Sequence, residues 1–276
     1  MKKLMCAIAA VSAGICLADV TSANVVGYLN NEVTPNTMNI SCATFRPVGD
    51  EAAVLGDLKA NDTFAFLQDT VQTLNGNGGT EAMYTYLSET AAVAYEMYGL
   101  RAGWYDYNEL LAWDWVSEPP AQKNTDSLPY GKMFIIQSGY EGAALVYSGE
   151  VIPAAKEFMI IPNTMNMLGN ATPVDLVLGD IACNDTFAFL QDTVQTLNGN
   201  GGTKAMYTYL NETAAVAYEM YGLRVGWYDY NELLAWDWVS EAPAQKNDVE
   251  IPAGYGFIVQ SGYDGAGIII PSPLAD

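Results

Sequence analysis

Short runs of apolar and β-prone residues, broken by Asn- and Gly-rich clusters, dominate this chain. Val25–Leu29 is such a run, ended by Asn30-Asn31, and Met38–Phe45 reads as a second strand. Thr63–Gln68 puts Phe64 and Phe66 on one face, as the two-residue period of a strand requires. The cluster Asn75-Gly76-Asn77-Gly78-Gly79 marks a turn or loop. After it, Met83, Thr85 and Leu87 alternate with Tyr84 and Tyr86, another strand pattern. Ala92–Tyr98 is ambiguous, because its alanines suit a helix and its Val and Tyr residues a strand. Gly103–Tyr107 reads as extended, and the apolar Phe134–Gln137, bounded by glycines, as a central strand. Helical turns are predicted at Glu51–Leu58 and Val174–Ile181, and Asn108 is a candidate cap for Glu-Leu-Leu-Ala. These elements predict an all-β fold with minor helical turns, built as a β-sandwich or a partly open barrel.

The pattern occurs twice. Asn61–Asn124 returns as Asn184–Asn247 at a constant offset of 123, with differences only at Glu81/Lys204, Ser88/Asn211, Ala102/Val225 and Pro119/Ala242. Self-similarity of this extent means two copies of one structural unit in tandem. Weaker matching extends the repeat. Glu32-Val33-Thr34-Pro35 aligns with Glu150-Val151-Ile152-Pro153, Met38–Gly49 with Phe158–Gly169, and Gly131–Tyr140 with Gly254–Tyr263. In this alignment Cys42 falls opposite Pro162 and Cys183 opposite Ala60. The expected organisation is a leader at 1–23, a β-rich module at 24–149 and a second at 150–276. No Gly/Ser or Pro linker separates the modules.

The leader is read from Lys2 and Lys3, the apolar Leu4–Leu17, and small residues Thr21-Ser22-Ala23 before a cut at Asn24. It implies a secreted, periplasmic or cell-surface location. No later stretch reaches the roughly 20 apolar residues of a membrane helix. Therefore no membrane insertion is expected once the leader is removed.

Three features carry a resemblance. They are the start Ala23-Asn24-Val25-Val26-Gly27-Tyr28, the Gly-Trp-Tyr-Asp at Gly103–Asp106 and Gly226–Asp229, and the turn Pro252-Ala253-Gly254-Tyr255-Gly256-Phe257. A degraded copy of that turn is Pro129-Tyr130-Gly131-Lys132-Met133-Phe134. In these the chain resembles a group of uncharacterised secreted bacterial proteins built from tandem β-rich modules. The resemblance implies an architecture and an address, and no activity. Lys132 and Met133 break the glycine pattern, so the turn is expected to differ in the first module.

The formal charge is −21 and there is no histidine. So acidic a surface repels phosphate backbones and anionic membranes, which argues against nucleic-acid partners. Without histidine, triads, general bases and metal sites built on imidazole are excluded. Cys6 and Cys16 leave with the leader. Cys42 and Cys183 remain, either as buried thiols or as a bridge between modules.

Carboxylates leave two chemical options. Asp106, Glu109, Asp114 and Glu118, with Asp229, Glu232, Asp237 and Glu241, lie near aromatics, as a glycoside hydrolase dyad would require. They match no such motif, and no catalysis is expected. Asn61-Asp62 with Asp69, and Asp106 with Asn108 and Glu109, offer oxygens to a structural calcium ion, the one cofactor considered.

Aromatic residues give the remaining candidate site: Trp104, Tyr107, Trp113 and Trp115, with the copies Trp227, Tyr230, Trp236 and Trp238. If Leu111–Trp115 is a strand, Leu111, Trp113 and Trp115 share a face. Rings on a rigid sheet suit a glycan or a cell-surface protein, and they also suit a sandwich core. The expectation is a non-catalytic structural or surface-interaction protein, with tandem carbohydrate-binding modules as the alternative.

Overall fold

The computed structural model describes residues 26–47, 53–152, 154–272 and 274. The leader lies outside the described residues, as do Glu51 and Ala52 of the helical turn expected at Glu51–Leu58.

The chain is mostly β. Its first half contains β1 (Val26–Glu32), β2 (Asn39–Cys42), β3 (Lys59–Ala60), β4 (Thr70–Leu74), β5 (Thr80–Leu87), β6 (Gly103–Asp106), β7 (Met133–Gln137) and β8 (Ala144–Glu150). Two short helices interrupt them, α1 (Glu89–Tyr95) and α2 (Tyr107–Ala112). The strands form two antiparallel sheets, ordered β1-β8-β3 and β2-β7-β4-β5-β6. Val71, Phe134 and Ile136 of the larger sheet pack with Leu145 and Tyr147 of the smaller, around Trp104. Two sheets facing one core make a sandwich, and single bridges from Tyr255 to Ser41 and from Gln122 to Tyr105 cover the edge strands β2 and β6 of the larger sheet.

The second half repeats this with β9 (Lys156–Met159), β10 (Asn166–Gly169), β11 (Leu176–Val177), β12 (Ala182–Cys183), β13 (Thr193–Leu197), β14 (Thr203–Leu210), β15 (Gly226–Asp229), β16 (Glu250–Ile251), β17 (Gly256–Gln260) and β18 (Gly267–Ile270). Helices α3 (Glu212–Tyr218) and α4 (Tyr230–Ala235) match α1 and α2. Its sheets run β12-β18-β9 and β10-β17-β13-β14-β15, with a small β11-β16 pair. The near-identical blocks therefore share one strand order. β8 runs to Glu150 and Val151 packs into the first core, so the border falls after Val151.

Several sequence expectations need correction. Thr63–Gln68 is a series of turns, with Leu67 at φ 65°, and the strand lies instead at Thr70–Leu74. Phe64 and Phe66 are both buried but enter different clusters. Leu111–Trp115 is no strand either. Leu111 ends inside α2, Trp113 follows its end, and Trp115 has φ 64°. The cap of α2 is Asp106, not Asn108; its carboxylate accepts the Glu109 N–H at 2.9 Å.

A further correction is to the weak alignment. Pro35-Asn36-Thr37-Met38-Asn39 is repeated as Pro162-Asn163-Thr164-Met165-Asn166. Asn39 Oδ1 accepts the Thr34 N–H and Asn166 Oδ1 accepts the Ile161 N–H, both at 2.8 Å, and Asn36 and Asn163 both have φ 58°. Hence β10 is the counterpart of β2, and Cys42 corresponds to Gly169 rather than to Pro162. The Pro-x-Gly turn is also the same in both halves. Gly131 (φ 76°) and Gly254 (φ 66°) take left-handed positions, and the Lys132 and Tyr255 N–H groups bond back to Pro129 and Pro252.

Candidate functional site

Each half carries one aromatic corner, built by α1 or α3 and the loop after α2 or α4. Ser88 Oγ accepts the Ala91 N–H at 3.2 Å and starts α1; Asn211 Oδ1 does the same for Ala214 at 2.8 Å and starts α3. The Ser88/Asn211 difference thus keeps the cap. Another difference has a matching change elsewhere. Glu81 pairs with Lys132 at 3.1 Å, and the equivalent positions in the second half are Lys204 and Tyr255.

The rings form a ladder from core to surface. Phe66 lies 6.2 Å from buried Tyr105 and 5.1 Å from Tyr95, which lies 6.1 Å from Trp115. Tyr98 meets Trp115 edge-on at 5.4 Å, and Trp113 and Trp115 lie 4.6 Å apart, tilted by 35°. The second half repeats this with Trp236 and Trp238 at 4.7 Å. Trp113 Nε1 donates to Ser117 Oγ at 3.1 Å, and Ser117 Oγ donates to Asp114 Oδ1 at 2.7 Å.

The sequence candidates divide. Trp104 and Trp227 are fully buried, and their Nε1 atoms donate to the Leu58 and Ile181 carbonyls. They are core residues and contact no external ligand. Trp113 is buried, while Trp236, Trp115 and Trp238 are half-buried. Tyr107 and Tyr230 are half-buried at the starts of α2 and α4. Among the described residues, no ring contact joins them to the tryptophan pairs.

Several large apolar side chains of the corner's elements are exposed. Val93, Met97, Leu111 and Val116 are exposed, Met97 at 82% and Val116 at 88%; Val216, Met220, Leu234 and Val239 repeat them. Beside them runs a shallow groove of about 580 Å³, lined by Glu89, Val93, Glu96 and Arg101. Its copy, with Val225 in place of Ala102, measures about 530 Å³. Sequence reading missed Val93 and Met97. Val93 lies in α1 and Met97 in the 3₁₀ turn that follows it (Glu96–Tyr98), and their spacing of four is a signal available once Ser88 is read as a cap.

Most of the acidic candidates serve the fold, whereas Glu118 and Glu241 are exposed. Asp106 caps α2, Glu109 pairs with Lys123 at 2.9 Å, and Asp114 accepts the Val116 and Ser117 N–H groups. The Ser117 hydroxyl and backbone N–H hold the Asp114 carboxyl below the usual carboxylate range, and Ser240 does so for Asp237. Asp69 is buried and accepts the Ala65 and Gly139 N–H groups. Among the described residues, no group of three or more acidic or cysteine side chains is placed to hold a metal ion. Cys42 and Cys183 are free and buried, so no bridge joins the halves, and burial pushes both thiols up. No described helix is long and apolar enough to cross a membrane.

Searches of protein-family models, curated proteins and solved structures found no match to this chain.

Proposed function

We propose that this is a non-catalytic, secreted surface-interaction protein that presents one apolar patch twice, to a basic protein surface with apolar side chains. The observation that carries the reading is the exposure of Val93, Met97, Leu111 and Val116, and of all four copies, on the elements that build the aromatic corner. Contiguous exposed apolar side chains rimmed by polar ones are a mark of interaction sites. The charge of the partner follows from the rim and from the whole molecule. Glu89 and Glu96 flank Val93, Asp114 adjoins Trp115, and the chain carries −21. A basic partner is attracted and an acidic one repelled.

Secretion rests on the Met1–Ala23 leader and on the family resemblance. Absence of catalysis is inferred from the lack of histidine and from the roles of Asp106 as a cap and Glu109 in an ion pair.

A second reading, tandem carbohydrate binding, is favoured by one observation: Trp115 and Tyr98 are partly exposed beside Asp114, and the set is duplicated. Against it, these rings meet at 78° and form no flat platform.

The two readings separate by direct binding. The protein without its leader is passed over an immobilised amphipathic peptide of Leu and Lys residues, and in parallel over a glycan array. Salt-sensitive retention on the peptide supports the proposal. Glycan binding without peptide binding replaces it with the second reading.

A further inference from the structure

The two halves pack on each other through Ile40, Leu74 and Ile135, which share one cluster with Met167, Leu197 and Ile258. The contact is reciprocal. The Met38 N–H donates to the Gly199 carbonyl at 2.7 Å, and the Met165 N–H donates to the Gly76 carbonyl at 2.8 Å. Each hairpin loop thus receives the equivalent methionine of the opposite half.

Beside the Met38–Gly199 contact lies an open cleft of about 430 Å³, to which both halves contribute. The first half supplies Asn36, Gln68, Gln137 and Ser138, and the second supplies Gly199 and Asn200. No lining residue is charged, in a chain with a formal charge of −21. Every lining residue has an identical counterpart across the contact, Gln191, Gln260 and Asn77 among them. Part of this identity lies outside the near-identical blocks. Pro35–Asn39 and Gln137–Tyr140 return unchanged as Pro162–Asn166 and Gln260–Tyr263, whereas the adjoining Ile40-Ser41-Cys42 returns as Met167-Leu168-Gly169.

The glutamines are held as donors. Gln137 Oε1 accepts from Gln72 Nε2 at 2.5 Å, and Gln68 Oε1 accepts from the Tyr140 hydroxyl. Each carbonyl oxygen is engaged within the fold, which leaves the N–H groups of Gln68 and Gln137 to donate to a ligand. In the second half Gln195 Nε2 donates to Gln260 Oε1, and the Tyr263 hydroxyl to Gln191 Oε1. Among the described residues, the side chains of Asn36 and Asn200 make no hydrogen bond. Uncharged amide donors grouped with a hydroxyl suit a ligand rich in neutral oxygen acceptors. An anion is disfavoured by the charge of the whole molecule, and a cation finds no carboxylate in the lining.

We propose that the clefts at the junction of the halves bind neutral sugars, one through Gln68, Gln137 and Asn200 and the other through Gln191, Gln260 and Asn77. Neither half completes a site alone, because each site takes its asparagine from the opposite hairpin. These sites are separate from the aromatic corners, and they do not depend on what the apolar patches bind.

The test titrates the isotope-labelled protein without its leader with glucose, galactose, mannose and N-acetylglucosamine, and with glucuronate as a charged control. The side-chain amide N–H signals of glutamine and asparagine are followed by NMR. At least one neutral sugar should shift the signals of Gln68, Gln137 and their copies to saturation, and glucuronate should bind about tenfold more weakly or less. Gln68 and Gln191 are exposed, so Gln68→Leu with Gln191→Leu should keep the melting temperature while affinity falls about tenfold or more. Asn77→Ala with Asn200→Ala, which removes no hydrogen bond of those side chains, should weaken binding in the same direction. Trp115→Ala with Trp238→Ala should bind as the parent does. Absence of a saturable shift with all four neutral sugars would overturn the proposal. So would equal binding by the parent and both amide variants, or loss of binding in the tryptophan variant alone, which would move the sugar to the aromatic corner.

Discussion

Met133 and Gly256 occupy equivalent places in the two halves and pack against each other, with space at Gly256 only for a hydrogen atom. Duplication made these positions alike in the fold, and the side chains now differ so that one fills what the other leaves open. Lys132 and Met133 break the glycine pattern because of this contact and the Lys132–Glu81 pair, while the turn before them is unchanged.

Stability should reflect that contact. Met133→Ala is expected to cost about 2–5 kcal/mol, as deletions of buried side chains do. Gly256→Ala should cost about 1–3 kcal/mol through overpacking. In the double variant the nearest clash, with Met133 Cγ, is gone, so the two losses should sum to less than their separate values. Urea midpoints of the four proteins measure the coupling. Strict additivity would mean that the two side chains do not share space.

Tryptophan replacements should rank by depth. Trp104→Ala with Trp227→Ala removes a fully buried ring and its hydrogen bond from each core, at about 3–5 kcal/mol per site. Trp113→Ala with Trp236→Ala should also destabilise strongly. Trp115→Ala with Trp238→Ala should cost least, because these rings are half-exposed. Thermal melts order the three pairs. Equal stability of Trp113→Ala/Trp236→Ala and the parent would show that those rings support nothing.

Acid should loosen the tryptophan loops before the sandwich. The carboxyls of Asp114 and Asp237 titrate below their ordinary value in the folded chain because Ser117 and Ser240 donate to the charged form. A depressed folded pKa gives stability that is complete above the unfolded value, about 3.9, and is lost as pH falls through the folded one. Tryptophan fluorescence should therefore change below about pH 4, and Asp114→Asn with Asp237→Asn should remove that change. A transition of the same size in the double variant would assign it to other carboxylates.

Much of the fold was legible from local pattern. The tandem repeat, the β class, the central strand at Phe134–Gln137 and the turn at Asn75–Gly79 all follow from periodicity and turn chemistry. The two misplaced strands share one cause. Thr63–Gln68 contains Leu67 and Leu111–Trp115 contains Trp115, both left-handed, a conformation that costs these side chains energy and that no sequence period announces. In each case packing overrides local preference: Leu67 and Trp115 both join the Phe66 and Tyr105 cluster. The candidate site was half legible. Trp113 and Trp115 were singled out by aromatic content, but the strand spacing offered for them is not what brings the rings together, and the exposed Val93 and Met97 lie in a helix and the turn after it that alanine and tyrosine content left ambiguous. The misaligned Glu-Val-x-Pro segment hid the Cys42–Gly169 relation, which the repeated Pro-Asn-Thr-Met-Asn and the shared hydrogen bonds of Asn39 and Asn166 fix.

The central claim is that the duplicated apolar patch binds a partner. The most direct measurement compares the parent with Val93→Ser, Met97→Ser, Val216→Ser and Met220→Ser combined, by surface plasmon resonance on the immobilised Leu/Lys peptide. All four side chains are exposed, so the melting temperature should hardly move. The account predicts that affinity falls by tenfold or more at unchanged stability, and that either half altered alone loses mainly the bivalent gain. Equal binding by the parent and the fourfold variant would contradict it.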